Sequence, residues 1–242
     1  MTASRMFPFI TCTWNPLCGR CHHECDYCWA RDLAKSRNLT KYFSDLPQMD
    51  IRQVGKHFKK GDYVFVQDMT DLFGKWVQSW QIRNVLSTIR ESPEARFLLL
   101  TKNPERYFEF LYPDTLIPEN CVLGCTIESD QINPQLGRAP TRFNRLFYMT
   151  HLRKLINERK LAGKPPHNLF VSIEPILDFN FDEFTNVLCN WIIPEGLAVG
   201  YDNYGHNLPE PSLQKTMKLI DKVEFDHGIC VHRKTLREAW NA

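Results

Sequence analysis

Five of the nine cysteines in this chain fall between positions 12 and 28, and four of them, Cys18, Cys21, Cys25 and Cys28, crowd one short stretch. Read from Cys21, the spacing is C-x3-C-x2-C. Thiolates held that close can meet on one inorganic core, and iron–sulfur clusters are gripped by cysteines at short loop spacings of this kind. Three protein ligands on a four-iron core leave one iron open to a small molecule, which points to chemistry rather than electron storage. Two other arrangements use the same residues. Structural zinc would join Cys18-x2-Cys21 to Cys25-x2-Cys28, although zinc ribbons separate such halves by about 15 to 20 residues. A fully ligated electron-transfer cluster would take its fourth sulfur from Cys18 or Cys12. His22 and His23 lie inside the loop and, with three cysteines already present, read as exposed loop residues.

An alternation of strands and helices must position this loop. Apolar, β-branched or aromatic runs of strand length occur at 9–14, 63–67, 97–101, 121–127, 169–173 and 196–200, with a short seventh at 228–232. Trp191, Ile192 and Ile193 precede the sixth run. Helical patterns fall between the runs at 27–37, 77–90, 104–111, 142–160, 182–189 and 212–223, and in the second Val77, Trp80, Val85 and Ile89 mark an apolar face. Strand and helix repeated about six times predict an α/β fold with a parallel sheet and helical crossovers. The runs end in Asn15, Asp68, Lys102, Glu128 with Ser129, Glu174, Tyr201 with Asp202, and Lys234. A barrel gathers these polar residues into one mouth, at the C-terminal rim where α/β barrels build their sites. Trp14 and Trp29 flank the cysteine loop as candidate shields, and Trp76 and Trp80 read as packing residues.

Composition sets the remaining bounds. The 30 Lys+Arg nearly balance the 28 Asp+Glu over 242 residues, giving a formal charge of +2, and the mean hydropathy is −0.38. No window approaches the ~18 consecutive apolar residues that cross a bilayer. The first residues lack the apolar core of a secretory signal, so a soluble, cytoplasmic, single-domain protein over 1–242 is expected. Charge is uneven in one place: between about 131 and 165, eight lysines and arginines face only Glu158. That basic helical segment is a candidate surface for nucleic acid.

The cysteine motif, with aromatic Tyr27 before its last cysteine, resembles the signature of the radical S-adenosylmethionine (radical SAM) superfamily. Thr13-Trp14-Asn15-Pro16, Asp71-Leu72-Phe73, Leu99-Leu100-Thr101-Lys102-Asn103-Pro104-Glu105-Arg106, Ser172-Ile173-Glu174-Pro175 and Lys234 are similar to a three-cysteine, phage-type branch of unknown function (DUF5131-like). The resemblance runs from about residue 11 to 235. It implies a partial (β/α)6 TIM-like barrel, a [4Fe-4S] cluster on Cys21, Cys25 and Cys28, and S-adenosylmethionine (SAM) on the open iron, cleaved reductively to a 5′-deoxyadenosyl radical. An electron donor such as a flavodoxin or ferredoxin is implied as partner, and a nucleic acid or nucleotide is the favoured substrate over a peptide or small molecule. The Tyr27 backbone would lie beside the adenine. The superfamily's Gly-Gly-Glu-like amine-binding motif is replaced by Gln67-Asp68-Met69-Thr70, whose oxygens on Gln67, Asp68 and Thr70 suit an ammonium. Glu128 and Ser129 would bond the ribose. Lys102, Glu174 and Lys234 remain for catalysis or substrate contact.

Overall fold

The computed structural model describes residues 6–111, 116–132, 134 and 137–240; positions 133, 135 and 136 of the basic segment lie outside the described residues. Seven strands, β1 (Cys12–Trp14), β4 (Tyr63–Val66), β5 (Arg96–Thr101), β6 (Cys121–Thr126), β7 (Asn168–Ile173), β8 (Gly196–Val199) and β9 (Cys230–Arg233), form one sheet in chain order. Every neighbouring pair is parallel. The short strands β2 (Leu17–Cys18) and β3 (Gln48–Met49) form a separate antiparallel pair that the sequence pattern does not reveal. Six helices supply the crossovers: α1 (Trp29–Ser36), α2 (Ser79–Arg90), α3 (Tyr107–Leu111), α4 (Arg142–Leu161), α5 (Phe181–Asn186) and α6 (Leu213–Asp221). This is the expected partial barrel, with the seventh run completing the sheet and β1 and β9 as its unjoined edges. No described helix is long and apolar enough to cross a membrane.

The two-residue period of the strands divides the core. In β5, Phe97 and Leu99 pack outward against the helices, whereas Leu98 joins Phe65, Val122, Phe170 and Ala198 on the inner face. The inner cluster is closed from below by Phe7 and Ile10. Phe9 stacks on Phe7 and approaches His232 of β9 at 4.4 Å between ring centroids, spanning the gap between the sheet edges. Phe9 and Ile10, read as strand from their apolar character, therefore belong to a plug, Thr11 is exposed and bonded to the Tyr63 backbone, and β1 starts only at Cys12.

Other departures have equally local causes. Trp80 is exposed, because the buried stripe of α2 runs through Ile82, Val85, Leu86 and Ile89 at helical spacing. Trp191 and Ile192 belong to a wide helical turn that follows α5 and ends at Ile193, where φ is 49°. Pro194 follows, and β8 begins at Gly196. A crossover helix runs back along the sheet, so α4 begins at the C-terminal rim and carries its late basic residues to the opposite, closed end.

The plug generates a stability prediction. Phe7 is 1% exposed, so Phe7→Ala should cost about 3–5 kcal/mol. At roughly 2–4 °C per kcal/mol for a chain of this size, thermal unfolding followed by circular dichroism should show a fall of at least about 6 °C.

Candidate functional site

The cysteine loop follows β1 and has little core of its own, so polar groups of the sheet rim hold it. Asn15 Nδ2 donates to Asp68 Oδ1 at 2.7 Å while Asn15 Oδ1 accepts from the Met69 N–H. Gln67, at φ 65°, clamps Leu17 from both sides: its Oε1 accepts the Leu17 N–H and its Nε2 donates to the Leu17 carbonyl. Gly19 takes φ +106°, where a Cβ would meet the Leu46 carbonyl oxygen and Pro47 Cα at 3.1 Å. On the other side Gly137, at φ +62°, lies so close that a Cβ would fall 2.5 Å from the His23 carbonyl oxygen. Only glycine fits that approach. The neighbouring Arg138 pairs with Glu24 at 2.9 Å.

Two buried carboxylates complete the anchorage. Asp71 accepts from Thr101 Oγ1 and from the backbone N–H groups of Phe73 and Lys102, and pairs with His23 Nε2 at 2.8 Å. Burial alone would raise its pKa, but His23 and these donors outweigh burial and lower it. His23 is thus buried and tied to the sheet, correcting the exposed-loop expectation; the physical reason is the acid directly opposite it. Glu128 is the second carboxylate, 1% exposed. Its Oε2 takes Arg145 Nη1 at 2.7 Å, and its Oε1 takes Lys102 Nζ at 2.6 Å together with the Tyr27 hydroxyl. Burial pushes its pKa up, yet Arg145 and Lys102 together bring it down to about 2. The Tyr27 hydroxyl also accepts from Lys102 Nζ at 3.1 Å, so the residue between Cys25 and Cys28 is fixed from two directions.

Above these anchors lies a cavity of about 1710 Å³ at the sheet rim, bordered by Cys21, Cys25 and Cys28. It exceeds the ~300–1,000 Å³ of a pocket for one drug-sized ligand. The Cys28 N–H donates to the Cys25 carbonyl at 3.2 Å, closing the turn that presents both thiols. Burial raises the pKa of the Cys21 and Cys25 thiols; Asp71 adds to this at Cys21, and Lys102 offsets it at Cys25. An iron–sulfur core takes thiolates, so its own positive charge would have to offset this burial. Among the described residues no three His, Cys, Asp or Glu side chains converge closely enough for a single ion. Cys18 is outside the cavity lining, its Sγ 3.7 Å from Asp50 Oδ2, whereas Cys12 borders the cavity from the start of β1, apart from the loop that carries the other three. The three sulfurs that one loop brings to the cavity are Cys21, Cys25 and Cys28, a donor set that fits a cluster held by three corners.

Of the other residues read from the sequence, Tyr27, Gln67, Asp68, Thr70, Lys102, Glu174 and Lys234 border this cavity. Thr70 is buried and its hydroxyl has no hydrogen-bond partner among the described residues, while burial raises the Asp68 pKa against the Asn15 hydrogen bond. Glu174 and Lys234 form an ion pair, with Nζ 2.6 Å from Oε1 and 2.8 Å from Oε2. Glu128 and Ser129 do not border the cavity, a correction to the ribose reading. Glu128 has both oxygens engaged, and the Ser129 hydroxyl donates to the Asp178 carbonyl at 2.5 Å and accepts the Gln131 N–H. Tyr201 and Asp202 do border the cavity, Tyr201 with its hydroxyl engaged by Pro211 and Thr216, and Asp202 holding His206.

The basic segment is corrected as well. Arg145 is fully buried on Glu128, Arg138 holds Glu24, and Arg153 donates to the carbonyls of Ile192 and Ile193. No described residue of 131–165 borders the cavity. Sequence reasoning missed Arg145 as an internal counterion, although it begins the stripe Arg145, Met149, Leu152, Ile156 that α4 buries. A cation in line with apolar residues at helical spacing was the available signal. Asp71 gave a fainter one, an acid directly before Leu72 and Phe73.

Comparison with known proteins adds the following. The family model described as protein of unknown function (DUF5131) matches residues 6–144. No curated protein matches the chain. Among solved structures, a double variant of spore photoproduct lyase with bound AdoMet and dinucleoside spore photoproduct superposes with a TM-score of 0.56 at 13% identity, covering 91% of this chain and 64% of that one. The lyase complexed with dinucleoside spore photoproduct gives a TM-score of 0.52 at 12% identity, covering 86% of this chain and 59% of that one. This chain thus spans under two thirds of the length of either. The likeness establishes the fold, a partial barrel of the radical SAM type.

The Glu128 network generates a paired prediction. Glu128→Gln strands Arg145 in the interior and should cost about 3–5 kcal/mol at neutral pH by chemical denaturation. In the parent chain the folded pKa of Glu128 lies below its unfolded value, from 4.5 to about 2. Its contribution is therefore fully present above the unfolded value and is lost as pH falls toward and through the folded one. Urea titrations across that acid range should show a shallower pH dependence for the variant than for the parent.

Proposed function

We propose that this chain, which belongs to the DUF5131 family of proteins of unknown function, is a radical SAM enzyme whose substrate is a nucleic acid or nucleotide. The observation that carries the reading is the set Cys21, Cys25 and Cys28 on one anchored loop at the rim of a parallel half-barrel, facing a cavity wide enough for more than one guest. The superposed lyase structures, with bound AdoMet in one and dinucleoside spore photoproduct in both, are consistent with it. When bound, a [4Fe-4S] cluster and SAM supply an electron and a 5′-deoxyadenosyl radical able to take hydrogen from a substrate, the electron coming from a donor such as a flavodoxin or ferredoxin.

The chain's own part is binding, aim and exclusion of water. Cys21, Cys25 and Cys28 are the residues that would hold the cluster and leave it open to SAM. Asp68 and the Thr70 hydroxyl, in the place of the superfamily's amine-binding motif, would receive the methionyl ammonium; Gln67 is engaged by Leu17 and sets the loop that carries them. Tyr27, held by Glu128 and Lys102, fixes the cysteine turn beside the adenine. Lys102 acts here as a positioning group. Glu174 and Lys234, on the β7 and β9 side of the cavity, face the substrate as a donor and acceptor set.

Anaerobic reconstitution with iron and sulfide should give a brown protein that forms 5′-deoxyadenosine from SAM under reduction, and Cys25→Ala should lose both properties; a colourless, iron-free parent chain would end the reading. Thr70→Val and Asp68→Asn should each raise the KM for SAM roughly tenfold or more, the worth of a hydrogen bond to a charged group. They should leave the cluster's absorbance unchanged.

A further inference from the structure

The sequence places its most basic stretch on and just before α4, but Arg145 is buried, Arg138 is taken up by Glu24, Arg153 by carbonyls, and the late lysines lie toward the closed end of the barrel. The cations that meet the cavity lie elsewhere. Between residues 31 and 60, eight lysines and arginines face three aspartates. This segment comprises α1 and the excursion that returns to β4, and it cradles the cysteine loop through Gly19 N–H to the Lys41 carbonyl and Arg20 N–H to the Ser44 carbonyl. Lys35 and Lys56 are exposed and border the cavity directly, and Arg37 is exposed just beyond α1. Among the described residues none of these three has a carboxylate at ion-pair distance, unlike Lys41 and Arg52, which close on Asp50.

Aromatic surface accompanies the charge. Phe43 is 45% exposed on the α1 side of the opening, and Tyr204 is 65% exposed on the β8 side. Both border the same cavity. Unpaired cations track a phosphodiester backbone, and exposed rings stack on bases that are free of a duplex. A cavity reached past such a rim receives a base lifted out of the strand, the posture that chemistry on a base requires.

We propose that the rim formed by Lys35, Arg37 and Lys56 with Phe43 and Tyr204 is the docking surface for single-stranded nucleic acid, and that α4 is not. The proposal rests on the enzyme reading for what happens after docking. It makes a separate claim about where the strand lies.

The test is fluorescence anisotropy on the full chain, before and after anaerobic reconstitution, with labelled dT and rU strands of about 20 nucleotides, longer than the ~4–16 that one groove covers. The parent chain should bind at low salt, and the two strands separate DNA from RNA as the source of the phosphodiester. The Lys35→Glu, Lys56→Glu double variant should bind at least about tenfold more weakly, with the magnitude of its log–log salt slope lowered by about 1.4 for two lost phosphate contacts. A Lys160→Glu, Lys164→Glu variant of the closed end should bind within about twofold of the parent. Phe43→Ala should weaken binding without changing the slope, and melting curves confirm that each exposed substitution leaves the fold intact. No binding at low salt, equal affinity for a duplex, loss on the closed-end variant instead, or displacement of the strand by an acidic redox protein with no loss on the rim variants overturns the proposal. A chain that binds strands but forms no 5′-deoxyadenosine fails the enzyme reading alone; one that forms it but binds no strand fails this inference alone.

Discussion

A single carboxylate out of contact with water holds two cations at once. Glu128 meets Arg145 on one oxygen and Lys102 on the other, so one negative charge answers two positive ones in a region of low dielectric. Such a group is poorly explained by stability, since removing ions from water costs as much as their attraction returns and an apolar replacement is often neutral or better. It is explained by position. The unbalanced positive charge lies beside Cys25, where Lys102 lowers the cost of a thiolate, and a three-thiolate iron–sulfur core carries a net negative charge. The same carboxylate fixes the Tyr27 hydroxyl, so charge and geometry reach the cysteine turn through one residue.

Asp71 performs the complementary task on the other flank. It gathers the side chain of Thr101, the backbone of Lys102 and the ring of His23, joining the loop after β4, the end of β5 and the cysteine loop. Lys102 takes part in both networks, giving its N–H to Asp71 and its ammonium to Glu128. The Thr-Lys-Asn sequence at the end of β5 is thus a joint rather than a set of reactive groups. A loop without its own core is made rigid by strands that are rigid for other reasons, the arrangement that precise sites need.

How much of this the sequence discloses depends on the range of the interaction. Strand alternation, the helix between each pair of strands and the cysteine spacing are local, and they were legible to within a few residues. The partners of Glu128 were not, because Arg145 lies seventeen positions further on and Tyr27 a hundred and one positions back. Charge density misled for a related reason. A run of basic residues on α4 has a composition but no direction until the crossover fixes which end meets the rim, and its first member with a buried partner, Arg145, is a counterion rather than surface. His23 followed the same rule, since its environment is set by Asp71 from forty-eight positions away.

The open seam of the barrel brings these observations together. A closed barrel of this strand number fills its interior with side chains, but here β1 and β9 stay apart and only the lower half is filled, by Phe7, Ile10 and the inner residues of the strands. The upper half is left as the cavity. Its cysteine side is held by buried ionic networks and its far side by the Glu174–Lys234 pair, while exposed cations and rings border it from the α1 segment and from the loop after β8. A plug below, a fixed loop above and an unclosed side between them allow a large guest to present one group to the interior while the rest of it stays outside. Under the proposed function, a reactive centre that must remain dry would be served by admitting one residue of a polymer, because the part that enters displaces the water while the rest stays outside.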